Sequence, residues 1–260
     1  RTPMDPFDAR IHRLRPFVGQ VVVAENMRRL LKGSRLIRSG SGKVQDAYSI
    51  RCIPQVYSPS IDALHYVRQQ IEIEMNSVTD NPLFFPGDEE QLSCGNFHGQ
   101  QIAMALDYLC IAMSEIGALS ERHINRLVNP HLNGGLPAFL VESEGLNSGY
   151  MLAHYTATAL CSENKVLSHP AVVDNFSMAA DQEDTVSMGP IAASKLEEII
   201  DNVVNVVAIE MMCAAQAFDL LGERPGRGTS VAHEQIRAEV PTYLKDRIVA
   251  PDIERIANLI

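Results

Sequence analysis

An all-α fold, a bundle of long helices, is what this sequence predicts, and three observations carry the prediction. Period-two alternation is rare and β-branched runs are short, so strand signals are poor. Four long stretches, 60–76, 98–128, 147–167 and 190–221, read as helices. Several of these are apolar on nearly every face, the pattern of helices buried among other helices.

Each element has its own signals. Residues 60–76 (SIDALHYVRQQIEIEMN) open at Ser60, a residue type that caps helices, and stop before the turn-forming Asp80-Asn81-Pro82. The 98–128 stretch contains no proline, and its acids Asp107, Glu115 and Glu121 are expected to keep to one narrow polar line. Residues 147–167 repeat that character. The 190–221 stretch starts with Pro190 in its first turn and ends at Gly222. Its early Glu198, Asp201, Asn202 and Asn205 form a wet face, and 206–215 is apolar except for Glu210, which needs a partner inside the bundle. Residues 222–230 read as a loop followed by a shorter amphipathic segment. Three divisions follow: an N-terminal segment 1–54 with an active-site loop, a central bundle 55–221, and a C-terminal region 222–260 of loop and short helices.

With 260 residues, 46% of them hydrophobic, the chain can bury a sizeable core, and its apolar surface exceeds what one unit hides, so oligomerisation is expected. A net charge of −10 and a pI of about 5.3 exclude nucleic acid and anionic membranes as natural partners. Five scattered cysteines with no CxxC spacing point to a reducing compartment, the cytoplasm by default. The eight histidines show neither HxxxH nor HExxH spacing, so no metal site is expected. No uninterrupted apolar run reaches the roughly 18 residues of a membrane span. The start at Arg1 rather than Met suggests a fragment or one product of a split chain.

Polar clusters fall between the predicted helices, where a bundle presents side chains to a cavity. The first is 45–52 (QDAYSIRC), which shows no helical or strand pattern and reads as a loop. Its Arg51 carries a planar fork suited to a carboxylate, or else makes a structural ion pair. Tyr48, three residues earlier, is a phenol whose pKa of about 10 a cationic neighbour would lower, or else a packed core tyrosine. In the second cluster, 93–100 (SCGNFHGQ), Phe97 either stacks on a planar ligand or staples the start of the following helix. In the third, 181–190 (DQEDTVSMGP), Gln182-Glu183-Asp184 either cap the next helix or place Glu183 on an ammonium or imidazole. SGSGK (39–43) is only superficially a phosphate loop, and Asn175-Phe176-Ser177 matches a glycosylation triplet. His65 and His154 read as satisfied core residues.

Five motifs occur in order over nearly the whole chain: Gln45-Asp46 with Tyr48-Ser49-Ile50-Arg51-Cys52; EMNSVTDNP (74–82); Gly95-Asn96-Phe97-His98-Gly99; Ser162-Glu163-Asn164-Lys165; and Gln182-Glu183-Asp184 with Val186-Ser187-Met188-Gly189. Together they resemble the C-terminal half of the aromatic amino acid ammonia-lyases and aminomutases, the histidine, phenylalanine and tyrosine lyases. The resemblance implies a long antiparallel helical bundle forming part of a tetrameric helical core, with active sites shared between subunits. It assigns Arg51 to the substrate carboxylate, Tyr48 and Gln45 to the hydrogen-bond network of the active centre, Phe97 to the aromatic pocket, and Glu183, with Gln182 beside it, to the substrate's amino group or ring. Tyr48 and Glu183 are the catalytic candidates.

The same resemblance implies a prosthetic group, 4-methylideneimidazole-5-one (MIO), cyclised from an Ala-Ser-Gly tripeptide. That tripeptide is absent here, since Ala193-Ser194 is followed by Lys195 within a predicted helix. The expected partner is therefore an N-terminal half or subunit that bears MIO, assembled with this chain as a homo- or hetero-oligomer of tetrameric type. Glu183 within QED resembles the histidine lyases, whereas Thr185 and RLVNPHLN (126–133) resemble the tyrosine and phenylalanine branch, and histidine is favoured. A tyrosine or phenylalanine lyase, a 2,3-aminomutase and a non-catalytic scaffold subunit are the competing readings. The fumarase and aspartase type, another helical tetramer, lacks support because its GSSxMPxKxN signature is missing.

Overall fold

The computed structural model describes residues 4–37, 45–143, 145–223 and 225–260, so the 39–43 stretch lies outside the described residues. A 3-10 turn, Asp5–Phe7, precedes helices α1 (Ala9–Arg13), α2 (Val18–Leu31), α3 (Tyr48–Arg51) and α4 (Ile53–Met75). A small hairpin of β1 (Leu83–Phe85) and β2 (Glu90–Leu92) follows, in antiparallel register with Leu83 opposite Leu92. Then come α5 (Gln100–Val128), α6 (Met151–Leu167), α7 (Gly189–Leu221), α8 (Arg227–Glu239) and α9 (Ala250–Ala257). Helices dominate, as the sequence predicts.

Helix α5 is the axis of the bundle, and hydrogen bonds along it give the direction of each neighbour. Ser60 Oγ of α4 donates to the Ala112 carbonyl while Gln101 Nε2 reaches Gln70, so α4 runs antiparallel to α5. Glu121 pairs with His154 and Ser114 with the Asn164 carbonyl, so α6 is antiparallel too. Helix α7 instead runs parallel to α5: Asp107 meets Lys195, Gly117 meets Val203 and His123 meets Glu210. The close approach at mid-bundle depends on Gly117, where an added Cβ would stand 3.2 Å from Val203 Cγ2.

Two apolar clusters fill this frame. Ala63, Val67, Ala105, Leu109, Leu196, Ile199 and Val203 join α4, α5 and α7, while Ile124, Val128, Tyr150, Val206, Ile209, Met212, Ile236, Ile253 and Ile256 close the other end. Both α5 and α7 are long and apolar enough to cross a membrane by length and composition, with mean hydropathy of 1.6 and 1.5 over their most apolar windows. Packing within the bundle buries 44% and 50% of those windows, as core helices do.

Several local expectations change. Ser60 is not an N-cap: α4 begins at Ile53, a single residue after α3, and Ser60 lies buried inside it. The Tyr48–Arg51 stretch is a single helical turn rather than a loop, with the Ile50 and Arg51 amides donating to the Ala47 carbonyl. It stops there because Pro54 has no N–H to continue the ladder, and the chain restarts with that proline in the first turn of α4. Asp107 and Glu121 are buried and paired, leaving only Glu115 exposed, and Asn202 is buried against Glu163 and Asn164 rather than wet. His65 is exposed, while His154 is held by Glu121. The 222–230 loop is shorter than read, since α8 starts at Arg227. The expected start and stop of α7 hold, with Pro190 in its first turn and Gly222 closing it at a φ of 61°.

Candidate active site

The polar motifs gather at two places on α5. At its N-terminal end, the 74–82 motif works as a brace. Asn76 Nδ2 donates to the Glu72 carbonyl at the end of α4, the Asn81 side chain accepts from the Cys94 amide at 2.8 Å, and Asn96 Nδ2 reaches the Val78 carbonyl. These bonds hold the loop that carries Phe97. His98 then ties that loop to the third cluster: its Nδ1 accepts from the Gln100 amide, which leaves Nε2–H to donate to the Thr185 carbonyl at 3.1 Å.

The loop bearing Gln182 and Glu183 is folded tightly. Met178 and Glu183 exchange backbone hydrogen bonds across Ala179, Ala180 and Asp181, which all adopt left-handed φ values of 53°, 53° and 65°. Non-glycine residues pay for that conformation and hold it only where surroundings enforce it. Ser177 Oγ donates to Asp181, and the Asn175 side chain accepts from the Val186 amide, so the Asn175 triplet has a structural use here. Helices α5 and α7 start side by side at this end, so their positive dipole ends flank the loop.

The second place is α3. The Arg51 guanidinium lies over the Tyr48 ring, 4.6 Å from its centroid. Its Nε is buried and has no acceptor among the described residues, and no described acid pairs with it. Tyr48 is 71% exposed. Gln45 is exposed just ahead of this turn. His123 of α5 fastens the turn, its Nε2 lying 2.6 Å from the Ser49 carbonyl and its Nδ1 2.6 Å from Glu210 of α7. Burial opposes the charged form of His123, but the Glu210 hydrogen bond and charge outweigh it and hold the ring above the ordinary histidine pKa. Burial, with the Glu210 charge, pushes the Tyr57 phenol well up. Beside this turn is a cavity of about 580 Å³, lined among others by Tyr57, His123, Leu136, Glu210 and Phe218. Asp46 and Ile50 face it, whereas Tyr48 and Arg51 do not.

Tyr48 is not a core tyrosine, Arg51 makes no described ion pair, Phe97 is 61% exposed rather than stapled, and no side chain, Glu183 included, caps α7, whose N-cap is Met188. Yet the candidates form two groups. Phe97, Gln182 and Glu183 share one end, and Gln45, Tyr48 and Arg51 sit beside His123; between Gln100 and His123 the helix rises about 35 Å. Sequence reasoning passed over His98, His123 and the Ser49 carbonyl. His98 was visible inside a motif, but His123 and Ser49 are 74 positions apart and only folding joins them. Glu210, singled out as needing a partner, has two: His123 and Ser120, whose Oγ donates to it at 2.5 Å. Among the described residues no three His, Cys, Asp or Glu side chains converge as metal ligands.

Fold and site together define an all-α bundle protein that keeps its chemistry-bearing residues on short turns at the flanks and ends of its longest helices. The sequence profile described as "Aromatic amino acid lyase" matches residues 1–238. The chain belongs to that family. Histidine ammonia-lyase of Alkaliphilus oremlandii is 55% identical over 98% of this chain and 50% of its own length. Among solved structures, histidine ammonia-lyase from Trypanosoma cruzi superposes with a TM-score of 0.91 at 43% identity, over 100% of this chain and 49% of that one. Tyrosine aminomutase from Streptomyces globisporus gives a TM-score of 0.92 at 40% identity, over 99% of this chain and 53% of that one. The chain thus spans about half the length of the curated relatives it matches.

Proposed function

We propose that this chain forms the substrate-gripping half of an MIO-dependent ammonia-lyase that eliminates ammonia from an L-amino acid, histidine favoured, with urocanate as product. The observation that carries the proposal is Arg51: a guanidinium stacked on Tyr48, with a buried Nε and no described acid to neutralise it. A carboxylate ligand would supply both the missing acceptor and the countercharge. Identity of 55% to a histidine ammonia-lyase supports histidine as substrate.

The family's prosthetic group has no precursor here, because Ala193-Ser194-Lys195 lies within α7. MIO belongs in this reading to a partner half; when present it supplies the electrophile that draws out the amino group. This chain's residues do the rest of the holding. Arg51 anchors the carboxylate, Tyr48 and Gln45 serve the hydrogen-bond network of the centre, Phe97 covers the ring, and Glu183, beside Gln182, meets the amino group or the imidazole. The two groups stand about 35 Å apart along α5, far beyond the reach of one amino acid, which supports active sites assembled from different subunits in a tetramer. Outward-facing Met104, Tyr108 and Ile111, at helical spacing on α5, give such an assembly an apolar face to cover. Five free cysteines fit a reducing compartment such as the cytoplasm.

Ultraviolet absorbance tests the reading. The assembled complex, mixed with histidine, tyrosine or phenylalanine, is expected to form urocanate rather than coumarate or cinnamate. An inert complex would favour a scaffold role, and turnover by this chain without a MIO-bearing half would overturn the division of labour. The likeness to tyrosine aminomutase keeps a second reading in view, and a β-amino acid product from the same assay would establish it. Native mass spectrometry decides the partner: a pure homo-oligomer of this chain defeats the two-part assembly.

A further inference from the structure

His123 is buried near the C-terminal end of α5, with an acceptor on each side of its ring. The Ser49 carbonyl, 2.6 Å from Nε2, can only accept, so Nε2 carries a proton. The Nδ1 contact of 2.6 Å then shares one more proton with Glu210. Ser120 Oγ donates to the other Glu210 oxygen at 2.5 Å, which favours a carboxylate there. Burial opposes the charged ring, but the Glu210 hydrogen bond and charge outweigh it, so the shared proton rests on the ring.

The turn it holds has little else. Helix α3 is four residues long, buries none of them and has no side-chain cap, and a single helical turn has no stability of its own. We propose that His123 is kept as an imidazolium by Glu210 and clamps the Tyr48–Arg51 turn to the bundle through Ser49, positioning Arg51 for a carboxylate ligand. This rests on the reading of Arg51 as carboxylate anchor. His123 acts through the turn and touches no substrate itself.

Charged and titratable groups face it from each neighbouring element: Glu210 of α7, Arg126 of α5, Tyr57 of α4 and Asp46 ahead of α3. Burial and Arg126 oppose the charge, while Glu210 and the Ser49 bond sustain it, leaving the ring's pKa above the ordinary histidine value. The clamp is therefore fully present below that ordinary value and is lost as pH rises through the raised one. A neutral imidazole has one N–H and must release either Glu210 or Ser49.

The test has two arms. Ring ¹⁵N NMR of the full chain, with the His123 ring assigned by through-bond correlation to its own backbone, is expected to show both ring nitrogens protonated above the ordinary histidine range. A neutral ring at such a pH overturns the proposal, and no variant need fold for the wild-type spectrum to show it. In the assembled complex, His123→Gln is expected to weaken binding of imidazolepropionate about tenfold while leaving ethylimidazole, which has no carboxylate, unchanged. Glu210→Gln is expected to move the pH at which imidazolepropionate affinity falls to a lower value. Equal weakening of both ligands, or an unmoved pH midpoint, overturns the clamp. Arg51→Ala separates the failures. If it weakens imidazolepropionate and His123→Gln does not, the clamp alone fails; if it has no effect, the reading of Arg51 fails as well.

Discussion

Arg51 keeps a buried Nε–H with no described acceptor, and an unpaired buried donor of this kind costs about 1–3 kcal/mol. Binding a carboxylate would remove that cost. If the proposed assembly holds a substrate carboxylate at Arg51, Arg51→Ala is expected to raise its KM by an amount equivalent to roughly 2–5 kcal/mol, because a desolvated carboxylate loses its charged partner. An unchanged KM would remove Arg51 from the site. The thiols make a contrasting case: burial pushes Cys110 and Cys161 up to about 11, and Cys110 is fully buried. At neutral pH both are expected to resist alkylation until the fold opens, as peptide mapping after brief labelling would reveal. Arg51 and Tyr48 were legible at this scale because their chemistry is intrinsic and three residues separate them. The Ser49 carbonyl was not, since every residue has one and only its environment distinguishes it.

At the scale of elements, the α5–α7 contact depends on the missing side chain at Gly117, which faces Val203, Asn164 and Cys161. Gly117→Val is expected to force the helices apart and cost about 1–3 kcal/mol, read as a lowered urea midpoint. Asp107 joins three segments there, accepting from Lys195 and from the Val172 amide. Asp107→Ala leaves the half-buried Lys195 without its charge partner and is expected to cost about 1–3 kcal/mol in the same measurement. The interiors of the long helices were legible from apolar periodicity. Their boundaries and the one-turn α3 were not: Ser60 has the composition of a cap, but α4 starts earlier and turns that hydroxyl into a bond to Ala112. Nor could periodicity tell that α7 runs parallel to α5, because direction depends on how the 129–188 connection returns the chain.

Across the whole molecule, paired titratable groups set a pH window. Glu121 lies below its ordinary pKa: burial works to raise it, and hydrogen bonds from His154 and Arg122 overcome that. Asp219 behaves alike, with Thr242, His233 and Arg237 prevailing over burial. Their contribution to stability is present above the ordinary carboxylate range of about 4 and is lost as pH falls through the depressed values. His123 adds the opposite arm, present below about pH 6.5 and lost as pH rises through its raised value. Denaturant midpoints are expected to plateau between these limits, and His123→Gln to flatten the alkaline side alone. The apolar faces give the second prediction at this scale. Tyr66 and Tyr108 meet edge to face at 6.1 Å between α4 and α5, next to exposed Met104 and Ile111. Tyr108→Glu is expected to shift the assembly to smaller species in native mass spectrometry, and an unaltered distribution would show that this face is not covered.

The sequence by itself determined the helical class, the family and the chemistry of the candidate residues, because apolar periodicity and side-chain type are properties of the chain before it folds. Only the tertiary structure decided that Phe97, Gln182 and Glu183 lie far along α5 from Tyr48 and Arg51, and that His123 with Glu210 pins the turn. Those facts rest on contacts between residues tens of positions apart, whose distances exist only once the helices have packed.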